Sequence, residues 1–238
     1  IGSNIAASTA GGSIDVGNVG GDVSLETQGG SITLHKVKGK VSANTAGGSI
    51  WVESADQNVV AETAGGSINV KQCSGDLHAS TAGGSVEVGD VNGSATVETA
   101  GGSIRVVGVK GPLKANTAGG AIHLYKLMRG VKAETAAGAV AAEFVGKPAD
   151  FTDSYLSTSV GDVIVYLPAD MKVTVKAVID TAMGHKIRSD FPELKISSEG
   201  SNEWGPKEVY ASGQINGGGP ILKLHTTLGN IEVRKGKH

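Results

Sequence analysis

The sequence contains one cysteine, Cys73, among 238 residues, which excludes an intramolecular disulfide. Cys73 stands where equivalent positions carry Val or Ala, so it is expected to fill core. Aromatic residues make up 4% of the chain and prolines number six, too little bulk for a conventional globular core. Neither sign of charge dominates: the net charge is -2 and the pI near 6.3, which argues against nucleic acid or an anionic membrane as partner. No apolar run approaches the ~18 residues a membrane helix needs. The n-region and h-region of a signal peptide are also missing, and Ile1 rather than methionine opens the sequence. A mature or trimmed product is therefore expected.

What is present is glycine, 37 residues of it, arranged in a repeat. Thr9, Thr27, Thr45, Thr63, Thr81, Thr99, Thr117 and Thr135 follow one another at an unbroken spacing of 18 residues. A fixed short period without insertions predicts a solenoid, because one repeat cannot bury its apolar face alone. With that threonine as position one, position six reads Ile14, Ile32, Ile50, Ile68, Val86, Ile104, Ile122 and Val140. Position eight adds Val16, Leu34, Val52, Val70, Val88, Val106, Leu124 and Ala142. Their alternation with polar neighbours marks a half-buried strand. Positions fifteen and seventeen, as in Val41 and Ala43, repeat the pattern nine residues later. Position eleven, from Val19 through Cys73 to Leu127, plugs the second corner.

Each unit is thus two short strands joined by glycine corners, a 9 + 9 division. A hexapeptide helix would space its apolar residues six apart and is excluded. Calcium-binding nonapeptide rolls need Gly-Gly-x-Gly-x-Asp, with a carboxylate in the turn, whereas this turn reads Gly-Gly-Ser-Ile. The predicted fold is all-β: a parallel β-solenoid (β-helix) with 18-residue, two-strand rungs, right-handed by the parallel crossover rule.

Residues 1–145 form the regular repeats and residues 146–238 an irregular continuation with longer loops and a closing rung. Ile1, Ile5 and Ala7 fall at positions eleven, fifteen and seventeen, so the chain starts inside a rung. Ala137 replaces a corner glycine, and Gly146 to Asp153 carries an insertion of about five residues. A rung returns from Thr158 to Leu167. Val173, Val175 and Ala177 keep strand alternation, and Phe191, Trp204 and Tyr210 fill a broader end. Thr226 to Val233 is again a rung motif, leaving a rung-like edge at both ends.

The Gly-Gly-Ser-Ile repeats, with Leu167-Pro-Ala-Asp170, Ser189-Asp-Phe-Pro192, Asn216-Gly-Gly-Gly-Pro220 and Gly229-Asn-Ile-Glu-Val233, resemble a bacterial adhesin-like family of β-strand-repeat proteins of unknown function. The resemblance covers nearly the whole chain. It implies an exported or envelope-associated β-solenoid without established activity, and no catalytic residues carry over from it. The N-terminal anchor frequent in that family is not found here.

Position eighteen is the most patterned polar site: Ser8, Glu26, Asn44, Glu62, Ser80, Glu98, Asn116, Glu134. Stacked positions lie ~4.8 Å apart, so alternating glutamate with a neutral residue doubles the carboxylate spacing and relieves repulsion. The sharper reading, paired carboxylates of an inverting glycosidase at roughly 6.5–9.5 Å, needs one distinct pair with unequal environments, and a regular array makes all rungs alike. The histidines His35, His78, His123, His185, His225 and His238 show no metal spacing. The threonine row shares the parity of the core positions, so it is expected to face inward, which disfavours an ice-binding face. Trp51 stands out as an exposed aromatic. The Gly-Gly runs lack the lysine and helix of a phosphate loop.

The expected function is that of a non-enzymatic extracellular or cell-surface structural protein, adhesin-like, assembling end to end into filaments through its rung-like ends. A carbohydrate-active β-helix enzyme or a passive glycan-binding module is the alternative. No catalytic residue, metal or cofactor is assigned. A homo-oligomer and a surface glycan or protein ligand are the expected partners, without nucleic acid or a membrane span.

Overall fold

A computed structural model describes residues 2–199 and 208–236; Ile1, Trp204 and His238 lie outside them. Among the described residues the chain has 24 strands and no helix, so no helix is long and apolar enough to cross a membrane. The architecture is a parallel β-solenoid, and the chain divides into two compact units, Ile1–Ala118 and Gly119–His238.

In unit 1 one sheet stacks β1 (Ile5–Thr9), β3 (Val23–Thr27), β5 (Val41–Thr45), β7 (Val59–Thr63), β9 (Leu77–Thr81), β11 (Ala95–Thr99) and β13 (Leu113–Thr117). The other stacks β2 (Ile14–Val16), β4 (Ile32–Val37), β6 (Ile50–Ala55), β8 (Ile68–Cys73), β10 (Val86–Val91) and β12 (Ile104–Val109). Neighbours pair in parallel with like positions opposite, as Val41 sits between Val23 and Val59. The apolar positions point between the sheets: Ile50, Val52, Ala61, Ile68 and Val70 are all buried. Cys73 is fully buried too, as its place among Val and Ala predicts, and burial pushes its thiol pKa up.

Three polar ladders tie the corners from rung to rung. Thr63 Oγ1 donates to the Gly48 carbonyl of the preceding rung at 2.8 Å and accepts the N–H of Gly66 at 3.2 Å. Thr27, Thr45, Thr81 and Thr99 repeat both bonds. The row is buried, at 2% exposure for Thr27 and 7% for Thr117, so the inward parity read from sequence holds. At position five the N–H of Ser49 donates to Ser31 Oγ at 3.2 Å, and Ser67, Ser85 and Ser103 continue the series. At position fourteen the side chains of Asn4, Asp22, Asn58 and Asp76 accept the next rung's N–H, as Asp22 Oδ1 does from Lys40 and Asp76 Oδ1 from Ser94, both at 2.8 Å.

The stacking explains which corner glycine is indispensable. A Cβ on Gly48, at position four, would overlap the Gly30 carbonyl, whereas one on Gly47, at position three, would meet nothing closer than 3.5 Å. Ala137 occupies position three in its rung, while position four there stays Gly138, with φ at +139°.

In unit 2 one sheet runs in the order β15 (Val131–Ala137), β17 (Ser154–Val160), β23 (Ile221–Leu228), β19 (Val173–Ile179), β22 (Glu208–Ile215), β21 (Lys195–Glu199). The other runs β14 (Ile122–Leu127), β16 (Val140–Phe144), β18 (Val163–Leu167), β24 (Ile231–Lys235), β20 (Ile187–Ser189). The insertion before β17 brings Phe151 against Phe144, ring centroids 5.1 Å apart, both buried. Thr158 and Thr226 keep the threonine bond, to the Gly138 and Gly161 carbonyls.

The closing segment forms a rung, as its motif predicts, but that rung is not the last of the stack. β23 and β24 insert between β17 and β18 on one side and β19 and β20 on the other. The expectation of a bare rung edge at this end is therefore corrected: β19 is flanked by β22, antiparallel, and β22 by β21. The physical reason is burial. Leu222, Leu224, Ile231 and Val233 all have 0% exposure, which needs cover from both sides. The motifs around Asn216 and Asp190 tie this cap. Asn216, at φ +49°, leads Gly217 and Gly218 through left-handed backbone, and its Nδ2 donates to the Ala169 and Met171 carbonyls at 2.9 Å each. Asp190 accepts from Arg234 and from the Lys235 N–H; the backbone bond foremost, and Arg234 next, hold its carboxyl below the usual range. In unit 1, among the described residues, β1 borders only β3. Ile5 is half-buried and Ala7 exposed although each keeps its inward register opposite Val23 and Leu25.

Candidate functional site

The glutamates of position eighteen fall in one column, as their spacing predicts. Glu26 lies opposite Ser8 and Asn44, Glu62 opposite Asn44 and Ser80, and Glu98 opposite Ser80 and Asn116. No two glutamates of this column in unit 1 share neighbouring strands. Positions eighteen, one and two of six rungs, from Glu26 to Ala118, line a shallow groove of about 1030 Å³ in unit 1. Its polar edge is the Glu/Asn/Ser column, its opposite edge Gln28 and a row of alanines, and the threonines run between.

The electrostatics of the groove are those of paired charges. Glu98 Oε1 accepts from Lys114 Nζ at 2.7 Å and from Asn116 Nδ2 at 3.5 Å. The Lys114 bond holds the Glu98 carboxyl below the usual range, the opposite of what a general acid needs. Glu62 has His78 Nε2 at 3.6 Å. Successive glutamates stand two rungs apart, ~9.6 Å, each with one Asn and one Ser beside it in the column. This arrangement spreads charge along a strand stack and offers a linear ligand a repeating row of acceptors.

A second cluster occupies the outward face of the other sheet of unit 1. Trp51 meets His35 edge-on at 5.6 Å, and Lys71 Nζ lies 4.9 Å from its ring centroid. His35 in turn faces Glu53 at 3.1 Å and Asp15 at 3.8 Å. Trp51 is therefore embedded among charged neighbours rather than standing alone. No three of the described His, Cys, Asp and Glu side chains form a metal-holding group.

A third group, in unit 2, went unseen in the sequence. His225 Nδ1 lies 3.1 Å from Ser157 Oγ, and its Nε2 lies 2.9 Å from Asp180 Oδ2, which also accepts from Thr227 Oγ1 at 3.2 Å. Serine, histidine and aspartate in line are the parts of a nucleophile and its base. Here they bridge neighbouring strands on a sheet face: Ser157 sits mid-strand in β17, paired with β15 and β23. Backbone N–H groups engaged in ladders do not converge on a developing oxyanion. Ser157 and His225 are the position-eighteen residues of their rungs, each just before its threonine, and that is the signal that could have found them.

Compared with protein-family models, curated proteins and solved structures, the chain gives no match.

Proposed function

We propose that this chain is a non-enzymatic, adhesin-like structural β-solenoid of the cell surface or extracellular space. The observation that carries the reading is the uninterrupted register of unit 1, whose corners are tied rung to rung by threonine, serine and Asn/Asp ladders. Such a stack is a stiff scaffold with a repeating outward face. Its short corners supply no long loop to wall a catalytic cleft. Resemblance of the motif set to adhesin-like repeat proteins supports a surface setting.

End-to-end growth that continued both sheets would need two bare rung edges. In unit 2 one sheet closes in antiparallel β22 and β21 and the other in the three-residue β20. The reading therefore favours a discrete particle over a filament.

Incubation with a polysaccharide panel and an aryl ester tests it: no release of reducing ends or phenol is expected. Turnover abolished by Glu62→Gln, Glu98→Gln or Ser157→Ala would overturn the non-enzymatic reading. Electron microscopy at high concentration should show discrete particles, and long filaments would reinstate polymer formation.

A further inference from the structure

Outward charges obey opposite rules in the two units. In unit 1 glutamates of the position-eighteen column never occupy adjacent strands. In unit 2 the outward column two residues earlier runs Lys132, Tyr155, Lys223, Lys176, Ser212, Lys195 across β15, β17, β23, β19, β22 and β21. Lys223 and Lys176 are direct partners on neighbouring parallel strands, ~4.8 Å apart at the backbone. Lys195 stands two strands beyond Lys176. Lys132 is paired with Glu134 at 3.1 Å. Lys223, Lys176 and Lys195 are exposed, and among the described residues none has a carboxylate partner.

Like charges placed directly opposite destabilise a sheet, and the alternation in unit 1 avoids that cost. Unit 2 accepts it at Lys223 and Lys176, leaving three ammonium groups free for an anion. Tyr155 lies beside them, with Lys223 Nζ 5.5 Å from its ring centroid. An aromatic ring flanked by cations on successive strands matches a polymer that alternates sugar rings with carboxylates. A net charge of -2 gives no extended basic field of the kind nucleic acid requires.

We propose that this face of unit 2 binds a linear acidic polysaccharide, its carboxylates on Lys223, Lys176 and Lys195 and a sugar ring against Tyr155. The inference rests on the adhesive reading and names its ligand class.

Titration calorimetry with polygalacturonate, dextran and a DNA duplex, followed by sizing of the recovered polymer, tests it. Polygalacturonate is expected to bind, dextran not, and affinity to fall roughly 20–40-fold between 50 and 200 mM salt, as three charge contacts imply. The Lys176→Glu/Lys223→Glu double variant should lose about tenfold or more in affinity, while Lys176→Ser keeps the fold and weakens binding less. Absence of polygalacturonate binding by the intact protein, or unchanged binding by a folded double variant, overturns the site. Equal or tighter DNA binding overturns the glycan assignment. Intact polymer without binding sinks this site and leaves the structural reading standing; bound but shortened polymer does the reverse.

Discussion

Unit 1 repeats one solution rung after rung, whereas unit 2 keeps the threonine bond and rebuilds what surrounds it. In unit 1 the core is Val, Ile, Leu, Ala and one Cys, and the position-four glycines Gly30, Gly48, Gly66, Gly84 and Gly102 each lie against the carbonyl of the rung before. In unit 2 Phe144, Phe151 and Phe191 enter the core, rungs stack out of sequence order, and antiparallel strands end one sheet. A repeating stack can tolerate only what every neighbour tolerates. Unit 2, whose strands stack out of sequence order and whose β22 and β21 pair antiparallel, is not bound to one repeated rung, so it can take larger side chains, longer loops and an uneven charge pattern.

Perturbations sized by this difference run from large to small. Phe144→Ala should cost about 3–5 kcal/mol in urea denaturation, because the ring fills space between the sheets of unit 2 and packs on Phe151; a loss below ~1 kcal/mol would mean the two rings are not a core. Gly48→Ala should cost about 1–3 kcal/mol by forcing apart two rungs, while Gly47→Ala, where a Cβ has room, should cost under about 1 kcal/mol. Equal melting shifts for the two would contradict the stacking geometry. Thr63→Val keeps the shape, removes the bond to Gly48 and leaves the Gly66 N–H without its acceptor, an expected loss of about 1–3 kcal/mol. The smallest effect is electrostatic. Asn44→Glu with Ser80→Glu would make a continuous carboxylate column from Glu26 to Glu98, costing about 0.2–1 kcal/mol per adjacent pair. Added salt should restore most of it; insensitivity to salt would show that alternation there has another cause.

The rung was legible from sequence because its determinants are local. Strand parity and inward threonines follow from residues within one 18-residue unit, and the period and the glutamate column from its plain repetition. The order of rungs in unit 2 was not, since nothing in Thr226 to Val233 says whether the segment pairs with β18 alone or with β18 and β20 together. That choice depends on which other rung buries Leu222 and Leu224, a contact between segments far apart in the chain. The Lys223 and Lys176 partners and the Ser157, His225 and Asp180 group were hidden for the same reason: their columns exist only once the stacking order is known. The serine and Asn/Asp ladders rest on the position-five serines from Ser13 to Ser103 and on Asn4, Asp22, Asn58 and Asp76 at position fourteen, but their role needed the backbone N–H of the next rung.

Native-state amide hydrogen exchange tests the central claim, a solenoid whose closing rung is interior and whose end in unit 2 is capped. Amides of Leu222, Leu224, Ile231 and Val233 are expected to exchange as slowly as those of Val163 and Val165, and far more slowly than Ile5 and Ala7 on the β1 edge. Fast exchange across β23 and β24, matching an edge rung, would contradict the account.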